Sequence, residues 1–195
     1  MRIGVFGGSF NPPHEMHLNI GIQLINKQYV DNVIYVPTGS KYKYKNNLLP
    51  DKNRLEMLKI MTKNYEYLDV NDYELKDEVV YTCETLAYFK ELYPNDEIYF
   101  ICGADNLSYI DKWKNGEYLL KNYKFLVIER NTNLINDLLV HFIEYKDNIV
   151  AVNMDLNDLS STYIRKNVLD KNVVKYLDSE VYQYILDNQL YINEV

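Results

Sequence analysis

The chain has 195 residues, 47% of them hydrophobic, and a formal net charge of −7 at pH 7. This length and apolar content predict one folded domain over residues 1–195 and exclude a largely disordered chain. The negative charge disfavours a nucleic-acid binder, which would carry a basic face, but it is compatible with a small phosphate ligand.

From the sequence we expect neither a signal peptide nor a membrane-spanning segment. No apolar run reaches the roughly 18 residues of a membrane span, and glycines interrupt the N-terminal apolar segment too early for a signal peptide. Cys83 and Cys102 do not form a close-spaced metal motif. We therefore expect buried, reduced thiols in a cytoplasmic protein with no membrane partner.

Apolar segments typical of β-strands alternate with amphipathic segments typical of helices. The predicted strands are Arg2–Phe6, Asn32–Val36, Tyr67–Tyr73, Glu97–Cys102, Lys124–Glu129 and Ile149–Asn153. The predicted helices are His14–Gln28, Asp51–Asn64, Thr82–Tyr93, Leu134–Tyr145, Thr162–Leu169 and Glu180–Asn188. This alternation predicts an α/β fold, a doubly wound parallel sheet with helices on both faces and a small helical C-terminal end.

Two helix details follow from the same patterns. We expect Asp51 to cap the second helix, whose inner stripe is Leu55, Leu58 and Met61. The helical spacing of Leu18, Ile22 and Ile25 predicts the inner stripe of the first helix.

The loop after the first strand reads GGSFNPPHEMH over residues 7–17. Glycines let the backbone approach a phosphate closely, and a helix that begins after the loop points free N–H groups at it. His14 and His17, three residues apart, lie on one face of that helix, where imidazole donors can stabilise charge on a transferring nucleotidyl group. Alternatively, the two histidines only cap the helix. A zinc site is disfavoured because the sequence shows no evident third ligand. His141, in an apolar helical segment, is interpreted as structural.

Three unusual loops follow predicted strands: Gly7–His17, Pro37–Gly39 and Gly103–Asp105. Ligands of parallel sheets bind beyond the carboxyl ends of the strands, so these loops are expected on one rim. The basic segment Gly39–Leu49 also lies there, and its lysines are either phosphate contacts or part of a solvated loop.

A second candidate anion site precedes the helix predicted at Thr162–Leu169. Ser160, Ser161 and Thr162 are followed by Arg165 in the first helical turn. Hydroxyl side chains before a helix are ordinary N-caps, but together with backbone N–H groups and a guanidinium they also suit phosphate oxygens.

Four motifs in chain order resemble the bacterial nicotinate-mononucleotide adenylyltransferase family of the HIGH-type nucleotidyltransferase superfamily. They are GSFNPPHEMH at 8–17, YTCETL at 81–86, ICGADNL at 101–107 with Trp113 beyond it, and SSTYIR at 160–165. The C-terminal segment 181–191 is also similar to the ending of that family. The resemblance therefore spans nearly the whole chain.

The resemblance implies a Rossmann-like fold and adenylyl transfer from ATP, with Mg²⁺, to nicotinate mononucleotide. It implies that His14 and His17 are catalytic, with His17 at the α-phosphate. Since no third ligand for a zinc site is evident, we expect no metal site built by the protein itself. The implied ATP-binding residues are Gly8, Ser9, Phe10, His14, His17, Gly103, Asp105, Ser160, Ser161 and Arg165. The implied mononucleotide-binding residues are Thr82, Asp105 and Trp113, whose indole suits stacking on a pyridine ring.

Two features depart from the family pattern. Met16 replaces the glycine that usually precedes the second histidine, and its side chain either crowds the adenosine side of the pocket or points elsewhere. The lysines at 41–45 stand where the family usually has a Pro-Pro-His-Lys-like stretch. These departures leave open another acceptor, phosphopantetheine or nicotinamide mononucleotide, and an inactive nucleotide-binding regulatory protein. A homo-oligomer is also left open.

Overall fold

Six parallel strands form one sheet in a computed structural model that describes residues 1–41, 47–129, 134–154 and 159–192. The strands are β1 Arg2–Gly8, β2 Asn32–Pro37, β3 Leu68–Val70, β4 Glu97–Gly103, β5 Lys124–Ile128 and β6 Ile149–Val152. Their order is β3-β2-β1-β4-β5-β6. The order reverses between β1 and β4, which confirms the doubly wound fold expected from the alternating elements.

Helices connect the strands and complete the C-terminal end. They are α1 Glu15–Asn26, α2 Asp51–Thr62, α3 Thr82–Leu92, α4 Ala104–Leu107, α5 Gly116–Asn122, α6 Leu134–His141, α7 Ser161–Lys166, α8 Lys171–Val174 and α9 Ser179–Asp187. Short 3₁₀ helices cover Ile110–Lys112 and Ile143–Asn148. None of the helices in the described ranges has both the length and the apolar character of a membrane span.

The sheet separates two apolar cores. One core joins it to α1, α2 and the C-terminal helices α7, α8 and α9. The other joins it to α3, α4, α5 and α6. Both cysteines, Cys83 and Cys102, are buried as free thiols in the second core, as expected.

Several predicted boundaries are wrong by one or more residues. The third strand is confined to Leu68–Val70, and the helix predicted to run from Leu134 to Tyr145 ends at His141 before a 3₁₀ turn. Asp51 is not the N-cap of α2, because Pro50 holds that position. The Asp51 carboxylate instead accepts hydrogen bonds from Arg54 and from the Ser40 N–H. The short helices α4, α5 and α8 were not predicted, since each lacks the length for a periodic pattern.

The buried face of α1 also differs from the prediction. Met16, Ile20, Gly21 and Leu24 are buried, whereas the predicted stripe of Leu18, Ile22 and Ile25 is only half-buried. Gly21 allows this approach because a Cβ there would lie 2.3 Å from the Tyr35 hydroxyl. That hydroxyl donates to the backbone carbonyl of His17 at 2.9 Å and holds the first turn of α1 against the sheet.

Candidate active site

Two adjoining cavities lie at the carboxyl ends of β1 and β4, where the strand order reverses. The first has a volume of about 420 Å³ and the second about 430 Å³. Gly7, Gly8 and Asn106 line both cavities, so the two spaces meet over the end of β1. The predicted convergence of the three loops is confirmed, since Gly8, Thr38 and Gly103 all reach this rim.

The first cavity brings together most of the residues predicted to bind ATP. Gly8, Ser9, Phe10, His17, Gly103, Asp105, Ser161 and Arg165 line it. His14 and Ser160 are not among the lining residues. The cavity is therefore built from both anion motifs, which are separated by about 150 residues in the sequence.

The two histidines occupy different environments. His14 is in the N-cap position of α1 and is 2% exposed, whereas His17 faces the first cavity. Their ring centroids are 3.9 Å apart. The Nδ1 atom of His17 accepts a hydrogen bond from the His14 backbone N–H at 3.2 Å. In the neutral ring the proton is then on Nε2, which makes Nε2 the hydrogen-bond donor of this side chain.

The C-terminal motif packs directly on the loop after β1. Arg165 Nη1 donates to the Asn11 carbonyl at 2.8 Å, and Ser161 Oγ donates to the Pro12 carbonyl at 2.9 Å. Ser160 is the N-cap of α7, because its Oγ accepts from the Tyr163 N–H at 3.2 Å. The capping interpretation thus applies to Ser160, while Ser161 and Arg165 face the first cavity.

Asp105 and Asn106 extend from the end of β4 in different ways. The Asp105 carboxylate lies so close to Gly103 that a Cβ there would be 2.2 Å from Oδ1. Asp105 lines the first cavity, whereas Asn106 lines both. Sequence reasoning missed Asn106, although its place directly after the Gly103–Asp105 loop was a usable signal.

The second cavity is the more apolar of the two and is lined by two of the three predicted mononucleotide residues, Thr82 and Trp113, whereas Asp105 lines only the first cavity. The Trp113 ring is half-buried and packs edge-to-face on Phe100, with centroids 5.9 Å apart. Tyr81, not Thr82, is in the N-cap position of α3, so Thr82 is not merely a cap. Lys112, beside Trp113, supplies a cation at this cavity.

Glu74 is a buried carboxyl group that also lines the second cavity, and sequence reasoning missed it. Its Oε1 accepts a hydrogen bond from Thr85 Oγ1 at 2.7 Å. Burial raises the pKa of Glu74 from 4.5 to about 7, against the opposing effects of the Thr85 hydroxyl and the Arg54 charge. It follows a weak predicted strand, where nothing in the sequence pattern distinguishes it from a surface residue.

Met16 and the lysine loop were the two departures from the family pattern. Met16 is 2% exposed and belongs to the apolar core, and it does not line the first cavity. The second of its two alternatives, a side chain that points elsewhere, is therefore confirmed. Tyr42–Asn46, which include Lys43 and Lys45, lie outside the described residues.

Among the described residues, the acidic side chains do not build a metal centre by themselves. Across the ranges that the structure describes, no three His, Cys, Asp or Glu side chains cluster as metal ligands. Asp105 supplies one carboxylate at the first cavity. One carboxylate suits a magnesium ion that arrives already bound to substrate phosphates and keeps most of its waters.

Comparison with known proteins gives consistent matches. The cytidylyltransferase-like family model matches residues 5–167. A probable nicotinate-nucleotide adenylyltransferase of Caldicellulosiruptor saccharolyticus is 36% identical over 98% of this chain and 99% of its own length. One from Carboxydothermus hydrogenoformans is 34% identical over 97% and 98%.

A solved structure shares the fold over its whole length. It is the Plasmodium falciparum nicotinic acid mononucleotide adenylyltransferase complexed with NaAD, which is 24% identical to this chain. The TM-score is 0.82, and the likeness covers 97% of each chain. The doubly wound, Rossmann-like architecture is thus shared with a protein of known structure.

Proposed function

The chain belongs to the nicotinate-nucleotide adenylyltransferase family, within the cytidylyltransferase-like group, and we propose that it adenylylates nicotinate mononucleotide with ATP. The products are nicotinate adenine dinucleotide and pyrophosphate. One observation carries this proposal: a polar cavity with His17 and Arg165 meets a more apolar cavity with Trp113 at Gly7 and Gly8. Two substrates bound in the two cavities would have their reacting phosphates at this junction.

The reaction needs no nucleophile from the protein. A phosphate oxygen of nicotinate mononucleotide attacks the α-phosphorus of ATP in line. The bond between that phosphorus and the bridging oxygen to the β-phosphate breaks, and pyrophosphate leaves with the electron pair. The protein then contributes by positioning both substrates and by stabilising the charge that develops on the phosphate oxygens.

His17 is the proposed donor to the α-phosphate. The backbone N–H of His14 occupies its Nδ1 atom, so Nε2 is the nitrogen that donates. His14, buried beneath it, is proposed to hold the ring of His17 rather than to reach the phosphate itself, because His14 does not line the first cavity.

Arg165 and Ser161 are proposed to bind the outer phosphates of ATP. The Arg165 guanidinium has five N–H donors, and the Asn11 carbonyl and the Thr162 hydroxyl accept from Nη1 and Nη2. Gly8, Ser9 and Phe10 contribute backbone at the same cavity, and Ser160 supports α7 as its cap.

Mg²⁺ is proposed to enter as part of the substrate MgATP. Bound to the phosphates, it would neutralise charge on the leaving pyrophosphate. Asp105 is proposed to accept hydrogen bonds from the water ligands of Mg²⁺ or from the ribose of ATP, and its place in the lining of the first cavity beside Gly103 supports this.

The second cavity is proposed to bind the mononucleotide. Trp113 offers an indole face to the pyridine ring, and its contact with Phe100 holds that ring in place. Thr82, at the start of α3, is proposed to contact the mononucleotide as well.

The test is a pyrophosphate-release assay with ATP and Mg²⁺. Nicotinate mononucleotide, nicotinamide mononucleotide and phosphopantetheine are supplied in turn as acceptors. We expect rapid release with nicotinate mononucleotide and formation of its dinucleotide. Release of pyrophosphate with phosphopantetheine alone, or with none of the three acceptors, would refute the proposal.

A further inference from the structure

The segment from Gly8, the last residue of β1, to the start of α1 has several of its backbone carbonyl groups hydrogen-bonded within the protein. Four of its carbonyl oxygens accept hydrogen bonds: Gly8 from Thr38 N–H at 2.8 Å, Ser9 from Arg54 Nη1 at 2.8 Å, Asn11 from Arg165 Nη1 at 2.8 Å and Pro12 from Ser161 Oγ at 2.9 Å. A carbonyl oxygen carries partial negative charge and repels a phosphate. A loop that binds phosphates through its backbone must keep these oxygens away from them.

Arg54 differs from the other donors because it belongs to none of the recognised motifs. It lies in α2, its side chain is fully buried, and it lines neither cavity. Besides Ser9, it donates through Nε to the Leu49 carbonyl at 3.0 Å and through Nη2 to the Asp51 carboxylate. The guanidinium thus ties the loop, the segment before α2 and α2 itself into one unit.

The Ser9 carbonyl and the Phe10 N–H belong to the same peptide group. In a trans peptide these two groups point in opposite directions, so a carbonyl fixed on Arg54 turns the Phe10 N–H away from Arg54. Within residues 1–41, 47–129, 134–154 and 159–192, no atom accepts a hydrogen bond from that N–H. Ser9 and Phe10 both line the first cavity.

Phe10 also adopts a backbone conformation that needs support. Its φ of 45° lies in the left-handed region, which is unfavourable for a residue with a side chain. The Phe10 ring is buried against Phe6 and His17 at centroid distances of 5.6 and 5.0 Å. The ring packing fixes the side chain, and Arg54 fixes the peptide on its N-terminal side.

We propose that Arg54 is a positioning residue for ATP, which holds the Ser9–Phe10 peptide so that the Phe10 N–H faces a phosphate oxygen in the first cavity. Without Arg54 this peptide can rotate and present the Ser9 carbonyl oxygen to the phosphates instead. The proposal rests on the proposed function only in taking ATP as the ligand of the first cavity.

The first test compares Arg54→Lys with Thr62→Val by calorimetric titration of MgATP, without any acceptor. Lys keeps the charge but loses the planar fork that reaches three partners at once. Thr62 is a matched control, because it is buried on the same helix and donates only to the Leu58 carbonyl, at 3.0 Å. We expect Arg54→Lys to weaken ATP binding about tenfold and Thr62→Val to leave it within about twofold of wild type.

Binding of nicotinate mononucleotide alone is measured with the same variants. We expect Arg54→Lys to leave it within about twofold, because Arg54 lies behind the first cavity. A folded Arg54→Lys protein with unchanged ATP affinity would overturn the proposal, and so would equal weakening of both ligands. If the wild-type protein binds ATP but not nicotinate mononucleotide, the proposed function fails. The ATP affinities of Arg54→Lys and wild type still test the role of Arg54 in that case.

A second test uses the wild-type chain, in case Arg54→Lys does not fold. The backbone amide resonance of Phe10 is followed by NMR during MgATP titration. We expect a downfield proton shift and slower solvent exchange on saturation, as a new hydrogen bond to phosphate requires. A Phe10 amide that is unchanged at saturating ATP would overturn the proposal.

Discussion

His17 is the residue on which the proposed chemistry depends most directly. We expect His17→Ala to lower kcat by about 100-fold or more, because the variant loses the donor to the charge that develops on the α-phosphate. The affinity for nicotinate mononucleotide should change little. Steady-state kinetics with pyrophosphate detection, alongside thermal unfolding, provide the measurement.

His141→Ala is the matched control for that substitution. His141 is 64% exposed, ends α6, and pairs with Asp111 at 3.6 Å, outside both cavities. Its ring packs edge-to-face on Phe142, with centroids 4.5 Å apart, and its interpretation as a structural residue stays a prediction. A His17→Ala enzyme as active as His141→Ala would remove His17 from catalysis.

Glu74 should give the folded protein a distinct pH dependence. Since burial raises its pKa from 4.5 to about 7, the folded state holds this proton more tightly than the unfolded state. The resulting stability, on the order of 3 kcal/mol, is fully present below about pH 4.5 and is lost as the pH rises through about 7. Glu74→Gln keeps the acceptor for Thr85 but cannot ionise.

We therefore expect Glu74→Gln to flatten the decline of the free energy of unfolding between about pH 4.5 and 7. Urea unfolding at several pH values measures this, with Glu91→Gln on the exposed surface of α3 as the control. A Glu74→Gln profile that stays parallel to the wild-type profile would show that Glu74 is not the group responsible.

The residues that the sequence revealed and those it concealed differ in a physical way. His17 and Arg165 belong to short sequence motifs that also contain glycines or hydroxyl residues, so the motifs themselves indicate phosphate chemistry. Glu74 and Arg54 are ordinary charged residues locally. They become unusual only when distant segments bury them, and burial depends on contacts that no local pattern encodes.

At the scale of elements, the packing of α1 explains why Met16 is compatible with an open first cavity. The Met16 side chain packs in the core between the sheet and the helices, so it stabilises the fold instead of narrowing the first cavity. We expect Met16→Gly, which restores the usual family residue, to cost about 2–5 kcal/mol of unfolding free energy. The Kd for ATP should remain within about twofold of wild type.

Met16→Leu is the control for this prediction, because a swap of similar volume should cost less than about 1.5 kcal/mol. Chemical denaturation and calorimetric ATP titration are measured on the same samples. Tighter ATP binding by at least tenfold in Met16→Gly would mean that the side chain does obstruct the pocket.

Element boundaries were the least predictable part of the structure. The central strands β1 and β4 were found to within two residues, since each is a mostly apolar run that ends at a glycine. At the N-terminus of α2, by contrast, Asp51 looked like a cap, yet it lies one residue inside and pairs with Arg54. Which of two adjacent residues caps a helix depends on backbone angles that tertiary contacts decide.

At the scale of the whole molecule, the architecture followed from the alternation of strands and helices. The rule that ligands bind beyond the carboxyl ends of parallel strands then predicted which rim of the sheet carries the candidate site. The division into two cavities, which share Gly7, Gly8 and Asn106 in their linings, did not follow from the sequence. The single-domain organisation and the cytoplasmic location stay predictions.

The most direct test of the whole account is a crystal structure of the protein with nicotinate adenine dinucleotide. We predict that the adenosine and its phosphate occupy the first cavity within hydrogen-bond reach of His17. The pyridine ring should lie on Trp113 in the second cavity, with the bridging phosphates over Gly7 and Gly8. A dinucleotide bound with both halves in one cavity, or with its pyridine ring beside Arg165, would contradict the account.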